Sequence, residues 1–304
     1  MTIGVAVCQY ATELGNKERN VELSLEWLNR AGKEGVQLVA LPELITTGYA
    51  CGEKMLELAE AVPGPTTEKW GKMARKYGYH IVAGIARRHS EGTGIIYNSA
   101  VLINPRGVVQ GVYSKVVVPL YLHSWPDESG EPVVIEEAEV FRRGDALPVF
   151  KTDIGTIGIQ ICQDAVYPEF IRVMTIKGAQ LIVQILNGPA VETQHEADIT
   201  PLTTRVHAFD NGVYILLANK CGTETYEFMG NANSVTFHGE SHVADPYGNF
   251  TAKAASEKEE LLLAEIDLSK VAKAQWDSKF LRDWRPDLLG PLSHQGISLG
   301  GDEP

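Results

Sequence analysis

The stretch Gly158-Ile159-Gln160-Ile161-Cys162-Gln163-Asp164-Ala165-Val166-Tyr167-Pro168-Glu169 decides how the rest of the chain is read. Ile157, Ile159 and Ile161 alternate with Gly158 and Gln160, which is the period of a strand. Asp153-Ile154-Gly155-Thr156, just before it, is turn chemistry. After it, Asp164 suits a helix N-cap, Pro168 a first helical turn, and Glu169 the positive end of a helix. The segment therefore predicts a strand running straight into a helix, with Cys162 at the junction. Helix N–H groups placed there would favour the thiolate, the nucleophilic form of cysteine. The local pattern leaves a second option open, in which Cys162 is one more small buried hydrophobe.

Working outward, 304 residues with 44% hydrophobic content suffice for one large domain. We expect one domain over residues 1–268 and a C-terminal extension over 269–304 that packs on the domain or on a partner copy. The formal net charge is -12 and the basic residues are scattered, so a nucleic-acid backbone is an unsuitable partner. Four cysteines without close spacing (Cys8, Cys51, Cys162, Cys221) form neither a disulfide framework nor a zinc pattern, and fit a reducing compartment. The first residues lack a basic region and read as a strand, not a leader. No apolar run reaches membrane-spanning length. The expected location is the cytoplasm, with no membrane partner. The sequence holds neither GxGxxG nor HExxH, so no metal and no cofactor is expected.

Ile3 to Gln9 reads as a buried strand, Asn16 to Lys33 as an amphipathic helix, and Val36 to Leu41 as a strand buried on both faces. A second helix, Thr66 to Tyr77, precedes strands at Tyr79–Arg87, Tyr97–Ile103 and Val108–Ser114. Residues 120–148 lack periodicity, and so long a loop in a compact domain is more often functional than idle. Beyond Cys162 come a helix to about Lys177, a strand Gln180–Leu186, a helix Ile199–Asn211, and strands near Val213–Asn219, Asn233–Phe237, His242–Asp245, Phe250–Ala254 and Leu261–Ile266. Strand–helix–strand–helix followed by hairpins occurs twice. Helices interleaved with very apolar strands predict an α/β protein built as a four-layer αββα sandwich.

Glu43, Lys115 and Cys162 each sit just past the end of a predicted strand, where α/β sheets form ligand sites. Glu43 follows Leu-Val-Ala-Leu-Pro and Lys115 precedes Val-Val-Val-Pro. Ionisable groups amid such neighbours are poor surface candidates, and burial beside a partner is how function shifts a pKa.

The motifs around these residues form an ordered set: Leu41-Pro42-Glu43 with Thr47-Gly48-Tyr49, Tyr97-Asn98-Ser99, Pro105-Arg106-Gly107, Tyr113-Ser114-Lys115, Ile161-Cys162-Gln163-Asp164 with Tyr167-Pro168-Glu169, Lys177-Gly178-Ala179, and Gly239-x-Ser241 before Asp245-Pro246-x-Gly248. Over residues 3 to 267 this resembles the nitrilase superfamily of carbon–nitrogen hydrolases. The resemblance implies an αββα sandwich, dimers paired through the outer helices, and a Glu-Lys-Cys triad cleaving a non-peptide C–N bond through a thioester. Cys162 would be the nucleophile, Glu43 the general base, and Lys115 with the N–H of Gln163 the oxyanion-stabilising pair. The family's accessory carboxylate precedes a Phe-x-x-Gly-Asp segment, here Phe141-Arg142-Arg143-Gly144-Asp145, and its spacing selects Glu137 over Glu136 and Glu139.

Family nitrilases have Trp then Glu after the cysteine, whereas this chain has Gln163 then Asp164. N-carbamoyl-D-amino acid hydrolases carry carboxylate-clamping arginines where Ala165 and Val166 stand. The resemblance therefore implies a small linear amide as substrate and ammonia as product, with an N-carbamoyl compound as the alternative, then a nitrile or acyl transfer. Gln163, Asn187, Tyr49 and Trp125 are the candidate substrate-binding residues, with His123 and His195 further candidates for the pocket wall. A homodimer or larger homo-oligomer is the expected assembly.

Overall fold

The computed structural model describes residues 1–90, 93–119, 122–124, 133–135, 137–189, 199–228 and 231–290. Its strands are β1 (Thr2–Gln9), β2 (Leu38–Ala40), β3 (His80–Arg88), β4 (Ile96–Ile103), β5 (Val109–Ser114), β6 (Leu122–Ser124), β7 (Val133–Ile135), β8 (Val149–Thr152), β9 (Gly155–Ile161), β10 (Leu181–Leu186), β11 (Tyr214–Asn219), β12 (Cys221–Phe228), β13 (Asn231–His238), β14 (His242–Ala244), β15 (Phe250–Lys253) and β16 (Glu260–Asp267). The helices are α1 (Lys17–Lys33), α2 (Met55–Leu58), α3 (Pro65–Tyr77), α4 (Glu137–Val140), α5 (Pro168–Ile176), α6 (Ile199–Asn211) and α7 (Ser269–Ser278).

Two six-stranded sheets carry the fold, ordered β16-β1-β2-β3-β4-β5 and β15-β14-β11-β10-β9-β8. Each has three central parallel strands, β1-β2-β3 in one and β9-β10-β11 in the other. Each is flanked by one antiparallel strand on one side and two on the other. The two sheets thus share one plan, as the doubled order of elements predicts, with β8 as an edge strand that the sequence reading did not include.

Residue parity along β1 shows the layering. Val5 and Val7 join the core between the sheets, with Leu38, Val82, Ile159, Val183 and Leu216. Ala6 and Cys8 point the other way, into a second core with Trp27, Leu28, Trp70 and Ala74 of α1 and α3. Ile171 and Met174 of α5 and Ala208 of α6 cover the other sheet. Strands buried on both faces need apolar residues at every position, which is why they read as continuous runs. Asn16 caps α1 by accepting from Arg19 N–H, and Pro65 opens α3. Beyond β16, α7 buries Val271 and Ala274, and Gln275 donates to the Asn211 carbonyl at the end of α6. No helix among the described residues is long and apolar enough to cross a membrane.

One local expectation is corrected. Cys162 opens a helix directly after β9, but a short 3₁₀ one, Cys162–Val166, and the α-helix α5 starts only at Pro168, with Tyr167 as an N-cap whose side chain makes no capping bond. Asp164 is not the N-cap of α5; as the third residue of the 3₁₀ helix it bonds back to the N-cap, Ile161. Its carboxylate is buried and accepts from the N–H groups of Ile161, Val116 and Val117 and from the Tyr113 hydroxyl.

Candidate active site

Glu43, Lys115 and Cys162 emerge from three strand ends that open at the same side of the sandwich. Glu43 is the third residue after β2, Lys115 follows β5 directly, and Cys162 follows β9 directly. Lys115 is fully buried, and its ammonium donates to Glu43 Oε1 at 3.2 Å and to Glu137 Oε1 and Oε2 at 2.8 and 2.7 Å. Cys162 faces the same group, since its thiol feels the charges of Glu43, Lys115 and Glu137 and an N–H from Asn187. Its φ is +47°, a region that L-residues seldom adopt and that lifts the side chain out of the line of the strand. Asp164 explains why this turn stays in register with Lys115. One carboxylate holds Ile161 on the cysteine side and Val116 and Val117 on the lysine side.

Glu137 stands on the short helix α4, and Glu139 beside it is exposed. Of the three neighbouring acids, the structure thus brings Glu137 to Lys115, while Glu136 lies outside the described residues. Around it the chain is pinned by Ala138 N–H on the Pro119 carbonyl and Arg142 N–H on the Ile96 carbonyl. Gly144 N–H reaches back to the Lys115 carbonyl at 2.7 Å. A Cβ on Gly144 would collide with the Ser114 carbonyl, so the glycine of Phe-x-x-Gly-Asp permits this close approach.

Asn98 is the residue that motif reading left without a role. Its amide Nδ2 donates to Glu43 Oε1 at 2.6 Å and to Glu137 Oε1 at 3.0 Å, bridging the two carboxylates. The signal was present: a polar side chain between the apolar residues of β4 must find a partner. Tyr49 is buried, and its hydroxyl donates to Glu137 Oε2 at 3.0 Å. Asn187 meets the site through its backbone, whose N–H donates to Glu43 Oε2 at 2.7 Å. Its side chain is fully buried, with both amide atoms unpartnered among the described residues. Gln163 is partly buried beside the thiol. Trp125, His195 and the side chain of His123 lie outside the described residues.

The electrostatics follow from one buried cation between two buried carboxylates. Burial alone would discharge Lys115, but Glu137 and Glu43 reverse this and hold the ammonium well above the ordinary lysine range. Burial pushes the Glu43 carboxyl up, Lys115 opposes this, Glu137 reinforces it, and Asn98 opposes it again; the net direction is up. Burial also pushes up the Cys162 thiol, with Glu43 adding to the effect and Lys115 and Asn187 N–H resisting it. Burial and the two carboxylates thus outweigh the N–H groups that would favour a thiolate, and the net direction for the thiol is up.

A buried carboxylate, a fixed ammonium and a cysteine on a strained turn, gathered at strand ends of an αββα sandwich, define a hydrolase-type centre. The chain belongs to the carbon–nitrogen hydrolase family, whose model matches residues 4–275. A carbon–nitrogen hydrolase from Helicobacter pylori G27 has a similar crystal structure, with a TM-score of 0.86 at 29% identity, covering 98% of this chain and 100% of that one. A probable nitrilase of Schizosaccharomyces pombe is 28% identical over 296 residues, covering 96% of this chain and 99% of the relative. The N-carbamoylputrescine amidase of Oryza sativa subsp. japonica is 29% identical over 309 residues, covering 99% of this chain and 96% of the relative.

Proposed function

We propose that the protein is a cysteine amidohydrolase that cleaves the C–N bond of a small linear amide and releases ammonia. The observation that carries this reading is the buried ammonium of Lys115, shared by Glu43 and Glu137 beside Cys162. A protein that only binds has little use for so costly an arrangement.

The thiol of Cys162 attacks the amide carbon while Glu43 takes its proton. Burial raises the Glu43 carboxyl towards the operating pH, which strengthens it as a base. The oxyanion is met by Lys115 and by the N–H of Gln163, which as the second residue of a 3₁₀ turn has no acceptor within the turn. Each such donor is commonly worth about 3 kcal/mol in the transition state. Glu43 returns the proton to the departing nitrogen, leaving ammonia and a thioester on Cys162. It then takes a proton from water, which attacks the thioester and releases the carboxylic acid, and passes that proton to the departing sulfur, restoring the Cys162 thiol and the Glu43 carboxylate. Glu137 keeps Lys115 charged and aimed throughout.

Ala165 and Val166 provide no cation for a substrate carboxylate, so the reading takes a neutral acyl group. An N-carbamoyl amine fits the same steps, with carbon dioxide as a further product, and the name of the Oryza relative favours keeping it as the second reading. No cofactor enters either scheme. Assembly belongs to the proposal too, as a homodimer formed through the helices outside the sandwich.

The test is ammonia release from a panel of small amides, N-carbamoyl amines and nitriles, beside the Cys162→Ala variant. Release from amides, absent in the variant, is expected. Release from nitriles alone would overturn the substrate class, and turnover by the variant would overturn the mechanism.

A further inference from the structure

A second buried lysine–glutamate pair lies outside the reaction scheme. Lys220, directly after β11, and Glu224, on β12, are both buried and form an ion pair. Glu224 does more than neutralise Lys220. Its Oε2 accepts from Tyr49 N–H at 2.9 Å and from Ala50 N–H at 3.1 Å, and its Oε1 accepts from the Thr12 hydroxyl at 3.2 Å. The loop closes tightly on the carboxylate: Gly48 has φ +79°, and a Cβ there would lie 2.8 Å from Glu224 Oε1.

Lys220 reaches the same tyrosine by another route. Its ammonium sits 3.9 Å from the centroid of the Phe237 ring, and Phe237 packs edge-on against the Tyr49 ring with centroids 6.3 Å apart. The backbone and the ring of Tyr49 are thus both fixed by one ion pair. What remains of Tyr49 is its hydroxyl, which donates to Glu137 Oε2, the same oxygen that holds Lys115 at 2.7 Å. Such a pair is expensive to bury and adds little stability over apolar residues of the same shape, so its geometry is its use.

We propose that Lys220 and Glu224 are positioning residues that clamp the 47–50 loop, so that the Tyr49 hydroxyl holds Glu137 and, through it, the Lys115 ammonium in place for the reaction. This rests on the roles given above to Glu137 and Lys115. An error of about 1 Å in such a constellation costs on the order of 100-fold in rate.

A double-mutant cycle tests it. Glu224→Gln and Tyr49→Phe are made singly and together, and kcat and KM are measured on the panel amide that the parent protein turns over fastest. The same variants are scored by the rate of Cys162 alkylation by iodoacetamide, read by intact mass, which needs no substrate. Thermal melts check folding. Where Glu224→Gln leaves Lys220 uncompensated and unfolds the chain, the apolar pair Lys220→Met with Glu224→Leu replaces it in the cycle. Each single change is expected to lower kcat about 10- to 100-fold. KM should move far less, and the combined variant should be no slower than Tyr49→Phe alone, since Glu224 acts through Tyr49. Losses that multiply in the combined variant, or a clamp variant with unchanged kcat and alkylation rate, would overturn the proposal. Turnover surviving in Cys162→Ala would instead overturn the reaction scheme, so the two failures are distinguishable.

Discussion

Glu43 is held by three donors of different kinds: the Lys115 ammonium, the Asn98 amide and the Asn187 backbone N–H. Its net shift is upward, with burial as the largest cause. The base must be ionised to take the thiol proton, so activity falls as pH drops through a value above the ordinary carboxylate range. Asn98 bonds the charged form and works against the shift. Asn98→Ala should therefore move the acid limb of the kcat/KM profile to higher pH. A limb that stays in place or moves down would show that Asn98 does not tune the base. At this scale Glu43, Lys115 and Cys162 were legible because each is an ionisable group at the end of an apolar strand. Glu224 was not. A glutamate between two threonines of β12 looks like a solvent-facing residue until the fold places Lys220 and the 47–50 loop around it.

The strands aim the site because their ends are close-packed against the loops that carry it. Gly84 of β3 donates to the Pro42 carbonyl at 3.1 Å, and a Cβ there would lie 2.5 Å from Leu44 N and 2.6 Å from Glu43 Cα. These are backbone atoms that cannot swing aside. Gly84→Ala should displace Glu43 and lower kcat on the order of 100-fold. It should also cost about 1–3 kcal/mol of stability by overpacking, read from kinetics and a thermal melt together. Unchanged kcat would mean that the position of Glu43 tolerates the shift. Periodicity found the long elements because both sheets and helices bury apolar faces. It missed β8, whose Val149-Phe150-Lys151-Thr152 is too short and too mixed to stand out, and β12, where Gly222, Glu224 and Glu227 interrupt the apolar signal. Asp164 was misread for a physical reason as well. An aspartate before Tyr-Pro-Glu fits a helix cap locally, and only the tertiary fold supplies Val116, Val117 and Tyr113 as its partners.

Across the whole molecule, two sheets of the same plan face each other, and the outer layer over one of them remains apolar. Leu202, Val206 and Phe209 fall on one face of α6 and are exposed, with Ile176 of α5 and Trp276 of α7 exposed as well. An exposed apolar stripe along one helix face suits an interaction site, and the proposed homodimer would cover it. Val206→Asp should convert the dimer to a monomer with the fold retained, read by light scattering and circular dichroism. A parent protein that is monomeric at micromolar concentration would contradict the assembly. The most direct test of the chemistry is the mass of the protein, acid-quenched during turnover with excess amide. The protein should gain one acyl group in place of one hydrogen, mapped to Cys162, removable by hydroxylamine and absent in Cys162→Ala. Ammonia release without an adduct on Cys162, or release by the Cys162→Ala variant, would contradict a thioester at this cysteine.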